Sequence, residues 1–269
     1  MAHPESQEID VPPRMQPARQ PLSVVLITLN AAGQLRPCLE SAGFADEIVV
    51  VDSGSDDGTP ALAVALGARV VHQDWLGFGP QKQFAVGQAR HDWVLCLDAD
   101  ERVTPALRAS VAAVLAAPAC GAYRCARQNR FLGRYLRHGE GYPDWSLRLF
   151  DRRRARWSDD AVHEKVLADG PVGTLDGDLL HDSAESVTAY LAKQNRYTTL
   201  AAETAVAAGR RASGAQLVLS PLVRFVKFYV LRRGFLDGLP GFVHIAIGCF
   251  NSFSKYAKMI ELQHREGSR

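Results

Sequence analysis

The chain of 269 residues is 47% apolar and 22% charged, the make-up of an ordinary globular protein with room for one large α/β domain and an appendage. A formal net charge of +2 is too small to argue for nucleic acid, and no nucleic-acid partner is expected. Cys38, Cys96, Cys120, Cys125 and Cys249 are odd in number and lack a C-x-x-C spacing, which favours free thiols in a reducing, cytoplasmic compartment over a disulfide framework or a zinc site.

Residues 1–20 (MAHPESQEIDVPPRMQPARQ) have no apolar core of a signal peptide and read as a disordered leader. Residues 22–29 (LSVVLITL) are a short apolar, β-branched run that fits a strand buried on both faces, and 47–51 (EIVVV), 68–71 (ARVV) and 93–97 (WVLCL) are three more. Between them, Thr59-Pro60 and Thr104-Pro105 each place an N-cap threonine before a proline at the first helical position. This alternation predicts βαβ units and a Rossmann-like, mostly parallel sheet with helices on both faces. Ligands of such sheets sit beyond the carboxyl ends of the strands.

From about residue 121 to 180 the pattern changes to short strand-like pieces with many arginines, ending in a strand near 177–180. Asp182-Ser-Ala-Glu185 resembles a capping box that opens a long helix ending at Gly209. The remaining residues read as a few apolar helices with interspersed bases. No uninterrupted apolar stretch of about 18 residues occurs, so no membrane-spanning helix is expected. The run 217–231 (LVLSPLVRFVKFYVL) is broken by Pro221, Arg224 and Lys227, and 241–250 (GFVHIAIGCF) is too short. From Arg210 to Lys258 the bases far outnumber the single acid, Asp237. Such helices suit the surface of an anionic leaflet; the competing arrangement packs them on the rest of the chain or on a second copy.

Polar clusters follow three of the strands. Thr28-Leu29-Asn30 follows the first, Asp52-Ser-Gly-Ser-Asp-Asp-Gly58 the second, and Asp98-Ala-Asp100-Glu101 the fourth. Residues two apart in an extended chain point to one side, so Asp98 and Asp100 would converge and repel unless a cation lay between them. Mg2+ or Mn2+ suits such a pair, because it prefers oxygen ligands and keeps positions open for phosphate. The same D-x-D could equally be a solvated turn, but its place directly after a buried strand favours the metal. The Asp52 loop carries neither a P-loop nor a G-x-G-x-x-G fingerprint. Its aspartate is expected to accept from a base or ribose, or simply to shape a turn.

Taken together, SVVLITLN, EIVVVDSGSDDGT, FGPQKQFAV and WVLCLDADE resemble the family 2 glycosyltransferases, whose nucleotide-sugar-binding fold is termed GT-A. The resemblance covers roughly residues 21–180. It implies that Asp52 hydrogen-bonds the uracil, that Asp98 lies near ribose and metal, that Asp100 is the principal metal ligand, and that Lys82 lies near the nucleotide or diphosphate, with Thr28 and Asn30 on the same nucleotide side. The sequence departs from many relatives at Asn30-Ala31, where they carry an acid after the asparagine. Further motifs, Tyr142-Pro-Asp-Trp145, Arg148-Leu-Phe150, Val162-His-Glu164, Leu180-His181-Asp182, Gly234-Phe-Leu-Asp-Gly238 and Lys255-Tyr256, look like the subgroup of lipopolysaccharide and lipooligosaccharide core β-1,4-glucosyltransferases.

That resemblance implies an inverting transfer of a hexose, glucose by analogy, from a UDP-sugar to a lipid-linked oligosaccharide at the cytoplasmic face of the inner membrane. One base must then remove the acceptor hydroxyl proton. Glu164 is the first candidate, Asp144 the second, and His163 either acts as base or orients Glu164. Glu164 could otherwise be a plain ion-pair partner of Lys165 or an arginine. His181, at a strand end, is a third candidate metal ligand, and Arg148 a candidate diphosphate or acceptor contact. Of Arg152, Arg153 and Arg154, at least two read as solvated surface. The expected layout is a leader over 1–20, a catalytic domain over 21–182 and a helical region over 183–269 that meets the membrane surface.

Three other functions compete. A sugar-nucleotide nucleotidyltransferase would carry a G-x-G-T-R-like loop where this chain has TLNAAGQ. A non-catalytic nucleotide-sugar or glycan-binding protein would not need Asp98, Asp100 and Glu164 together. A transferase acting on a polyprenyl-linked or protein acceptor would need the same donor chemistry.

Overall fold

The computed structural model describes residues 19–159, 164–182 and 186–267. Residues 1–18 of the expected leader, His163, and residues 183–185 of the expected capping box lie outside the described residues. Arg19 and Gln20 are already tied down: the Arg19 guanidinium pairs with Asp46 at 2.8 Å and the Gln20 amide donates to the Leu115 carbonyl at 2.9 Å.

The first half alternates strand and helix. β1 is Leu22–Thr28, α1 Ala32–Ala42, β2 Glu47–Asp52, α2 Thr59–Ala65, β3 Arg69–His72, α3 Phe78–Gln88 and β4 Trp93–Asp98. There follow β5 (Glu101–Val103), α4 (Pro105–Ala116), β6 (Ala122–Phe131), β7 (Arg134–Tyr135), β8 (Asp144–Asp151), β9 (Ala155–Trp157), β10 (Val166–Ala168) and β11 (Val172–His181). The main sheet runs β3-β2-β1-β4-β8-β6-β11-β5. Strands β3, β2, β1 and β4 are parallel, β8 enters antiparallel between β4 and β6, and β6 pairs parallel with β11.

Period-two alternation makes two cores from the same strands. Leu22, Val24 and Leu26 of β1 and Trp93, Leu95 and Leu97 of β4 face one side, where α1 and α4 supply Leu35, Leu39, Leu107 and Val111. Val25 of β1 and Val94 and Cys96 of β4 face the other, against Ala85 and Val86 of α3 and Trp157 of β9. Helices therefore cover both faces, the GT-A-like arrangement. Thr104 caps α4 as its sequence predicts, accepting from the Leu107 amide. Thr59 does not cap α2: Gly58, at φ +86°, is the cap and Thr59 is the first helical residue. The Thr59 hydroxyl instead donates to Asp57, which lies one residue before that glycine.

The C-terminal part is helical. Ser186 caps α5 (Val187–Ala207), and Gly209 follows its end at φ +74°. Next come α6 (Gly214–Phe225), a π-helical turn at Val226–Leu231, a 3-10 turn at Gly234–Asp237, and α7 (Gly238–Gly267). A buried Asp237 clamps this part to the loop after β7, accepting from the Arg137 and His138 amides at 2.9 and 2.8 Å. The Arg224 guanidinium of α6 pairs with Glu140 of the same loop.

Contrary to the sequence expectation, residues Gly214–Leu231 form one helical stretch of 18 residues with mean hydropathy 1.3, long and apolar enough to cross a membrane. Its basic residues and Pro221 interrupt the run of letters but not the helical stretch, which Ser213 caps and which ends at Leu231.

Candidate active site

At the carboxyl ends of β1 and β4 seven charged side chains form a chain of alternating sign. Glu164 Oε1 and Asp98 Oδ1 each lie 3.1 Å from Lys82 Nζ. Asp98 Oδ2 accepts from Arg148 Nη2 at 2.7 Å, and the same nitrogen donates to Glu101 Oε1 at 2.5 Å. Arg127 lies 3.5 Å from Glu101 and donates to Asp144 Oδ2 at 2.6 Å. Both candidate bases thus stand at the ends of one network.

Charge order explains the titration behaviour. Burial opposes ionisation of Asp98, but Arg148 and Lys82 outweigh it and hold its carboxyl far below the usual carboxylate range. Glu101 shares Arg148 while sitting beside Asp98, and burial pushes its carboxyl up. Burial also opposes ionisation of Asp144, yet the Arg127 guanidinium and Asn129 hold it below its ordinary value. A carboxylate stabilised in this way is a poor proton acceptor.

Several expected roles are corrected. Arg148 is only 4% exposed and is spent on Asp98 and Glu101, so it is a buried counter-ion rather than a diphosphate contact. Asp98 meets Lys82 and Arg148, so two cations already answer its charge. Asp52 is buried, and its oxygens accept from the Gly54 and Ser55 amides and from the Ser55 and Thr28 hydroxyls. With four donors on one carboxylate, it shapes the loop instead of presenting an acceptor to a base. Thr28 is its brace. Glu164 pairs with Lys82, not with Lys165 or an arginine.

Asp100 and His181 do meet, with Asp100 Oδ2 3.1 Å from His181 Nε2. Asn129 places its amide nitrogen on Asp144 at 3.3 Å, so its oxygen faces His181 Nδ1 at 2.7 Å and accepts that proton. Nε2 then turns a lone pair toward a carboxylate oxygen, and only a second ring proton or a cation satisfies both. Among the described residues no group of three metal-binding side chains is assembled. Asp100 and His181 nevertheless fit Mg2+ or Mn2+, which keep most positions for water and substrate phosphate oxygens.

Two cavities flank this pair. One, of about 690 Å³, is walled by Leu29, Asn30, Trp75, Phe78, Lys82 and Asp100. The other, of about 640 Å³, is walled by Arg127, Arg130, Phe131, Asp144, Tyr190 and His244 and runs under α5. His181 and Lys193 line both. Phe131, Tyr190 and His244 pack ring on ring at centroid distances of 5.2–6.0 Å, an aromatic wall of the kind that suits sugar faces.

Sequence reasoning gave no role to Glu101, Arg127, Asn129, Trp75, Phe78 or Lys193. Glu101 ended a motif already quoted. Arg127 and Asn129 lie on the outward-alternating positions of a strand with no motif, and only the β6–β8 pairing brings them to Asp144.

The sequence model for Glycosyl transferase family 2 matches residues 23–167. Over 249 residues the chain is 34% identical to the lipopolysaccharide core biosynthesis glycosyltransferase LpsC of Rhizobium meliloti (strain 1021), covering 90% of this chain and 92% of that protein. An uncharacterized glycosyltransferase of Rickettsia bellii (strain RML369-C) is 30% identical over 262 residues, 90% of this chain and 86% of its own. Glucosyl-3-phosphoglycerate synthase from Mycobacterium tuberculosis, crystallised with Mn2+, UDP and glucosyl-3-phosphoglycerate, overlaps 41% of this chain and 44% of its own at 26% identity, with a TM-score of 0.35.

Proposed function

The chain belongs to the family 2 glycosyltransferases, and on that footing we propose that it moves a hexose, glucose by its resemblance, from a UDP-sugar to a lipid-linked glycan of the lipopolysaccharide core type, with inversion. What supports this is that Glu164, Lys82, Asp100 and His181 line one cavity and that His181 also lines the second. The name of the Rhizobium relative supports the acceptor class.

In this scheme the donor occupies the cavity beside Asn30 and Asp100, and the acceptor the cavity beneath α5. Glu164 takes the proton of the acceptor hydroxyl as its oxygen attacks the anomeric carbon. The diphosphate leaves from the opposite face, so one displacement inverts the centre. Lys82, 3.1 Å from both Glu164 and Asp98, holds the base in place on the wall of the donor cavity. Asp100 and His181 would hold Mg2+ or Mn2+, which neutralises the diphosphate as its bond to the sugar breaks.

The protein works at the cytoplasmic face of the inner membrane, lying on it. Val218, Leu219, Leu222, Val223, Val226 and Val230 are all at least half exposed and fall on one side of the helical stretch at 100° per residue. The other side meets α7, where Ser220 bonds Ser252 at 2.7 Å. A helix with one side committed to protein suits the interface plane better than a crossing. Asp237, the one acid of this region, is buried, which leaves its exposed charge to Arg210, Arg211, Lys227, Arg232 and Arg233.

Thermal unfolding with UDP, with and without Mn2+, tests the donor and metal together. Ligand at 100 times its Kd adds about 2.7 kcal/mol, which raises the Tm of a chain this size by about 5–10 °C. A rise that needs Mn2+ is expected. A rise with another nucleotide alone would change the donor, and none with any nucleotide would remove catalysis from the proposal.

A further inference from the structure

Two large aromatic side chains, Trp75 in the loop before α3 and Phe78 at the first residue of α3, stand exposed at the donor cavity, and among the described residues nothing covers them. Trp75 is 48% exposed and Phe78 53%, and their rings meet edge to face with centroids 4.8 Å apart and planes at 86°. The loop that carries Trp75 and leads into α3 is held from beneath. Gln81, fully buried, donates from Nε2 to Ser53 Oγ at 3.0 Å and to the Gln73 carbonyl at 3.1 Å, and accepts from the Leu76 amide at 3.2 Å. Gly77 turns the chain at φ +97° into α3, a conformation that a side chain would strain. Leu29, across the β1 end, is exposed on the same cavity.

Sheet order says which part of a donor would meet this wall. Asp100 stands just past the end of β4 and meets His181 from the end of β11, while Asp144 and Arg127 lie on β8 and β6 between those two strands. Trp75 and Phe78 follow β3, on the other side of β4. With the diphosphate at Asp100 and the acceptor toward β8, the nucleoside end extends toward β2 and β3.

We propose that Trp75, oriented by Phe78, is the stacking face for the nucleobase of the donor, and that the side-chain amide of Gln34 on the same cavity wall faces the edge of that base. Preorganised loop geometry keeps the ordering cost of binding low, and a planar base covers apolar surface that water otherwise meets. This rests on the nucleotide-sugar reading above, and the test separates the two.

Binding of UDP and of inorganic pyrophosphate, each with Mn2+, would be measured by calorimetry, and UDP also by tryptophan fluorescence. Trp145 is as exposed as Trp75 and Trp157 lies under Lys82, so the share of any UDP quench due to Trp75 is read from the Trp75→Phe variant. Trp75→Ala should weaken UDP by about tenfold or more, in line with base–aromatic stacking, and leave pyrophosphate unchanged. Trp75→Phe should keep UDP within about threefold of the parent, because a ring remains, while losing that share of the quench. UDP affinity unchanged in Trp75→Ala, or equal weakening of UDP and pyrophosphate, would overturn the stacking role and leave the donor reading intact. A parent protein that binds pyrophosphate but not UDP would overturn both.

Discussion

Replacing Arg148 with methionine separates a buried counter-ion from a substrate contact. The guanidinium is 4% exposed, and one nitrogen serves Asp98 at 2.7 Å and Glu101 at 2.5 Å. Methionine keeps much of the apolar stem and removes the charge. Glu101, fully buried, would then have only Arg127 at 3.5 Å as a cation. Breaking a buried pair from one side costs about 3–5 kcal/mol. At about 2–4 °C per kcal/mol, the Tm should fall by about 6–20 °C. The deficit should also depend on pH. Burial and Asp98 already raise the folded-state pKa of Glu101, and loss of Arg148 raises it further. A carboxyl with a raised folded pKa is neutral in both states at low pH and is penalised only as pH climbs past its unfolded value. The deficit should therefore shrink as pH falls toward about 4.3, the ordinary glutamate value. Calorimetric melting from pH 4 to 8, alongside UDP titration, reads both effects. A Tm within about 2 °C of the parent, with UDP affinity lost instead, would refute the counter-ion role and restore an anion-binding one.

Glu164→Gln should lower sugar transfer by about 100- to 10,000-fold while preserving the UDP-dependent rise in Tm; normal turnover would move the base to Asp144 or His163. Asp100→Ala should abolish the Mn2+-dependent part of UDP binding, measured by calorimetry with and without chelator, without lowering the Tm of the ligand-free protein. Retention of metal-dependent binding would remove Asp100 as a ligand. Leu222→Glu with Val223→Glu should release the protein from sedimenting anionic vesicles, since both side chains are exposed on α6; unchanged sedimentation would place the contact elsewhere, and a lighter oligomer at equilibrium sedimentation would identify a second copy as the occupant.

Runs of β-branched residues and their spacing from helix signals carried the first half of the fold, because a buried parallel strand must be apolar on both faces and the letters record that directly. β1, β2 and β4 begin at the residues where their apolar runs begin. Asp98, Asp100 and His181 were singled out for a related reason: they stand at or just past the ends of strands of the main sheet, where ligands of such sheets sit. Partnership was not legible. Lys82 and Glu164 are 82 positions apart and His181 and Asp100 81, and no local pattern encodes which cation a carboxylate will meet. The same gap turned Arg148 from an expected anion contact into a buried counter-ion, and Asp52 from a base acceptor into the brace of its own loop. Sequence alone determined the fold class and the sheet edge at which the candidate site residues gather, since both follow from local periodicity. Only tertiary structure decided which charges neutralise one another, which remain for a substrate, and which side of the Gly214–Leu231 helix is left apolar and uncovered, because burial and long-range pairing exist only once β8 and β6 are packed beside β4 and α6 is packed on α7.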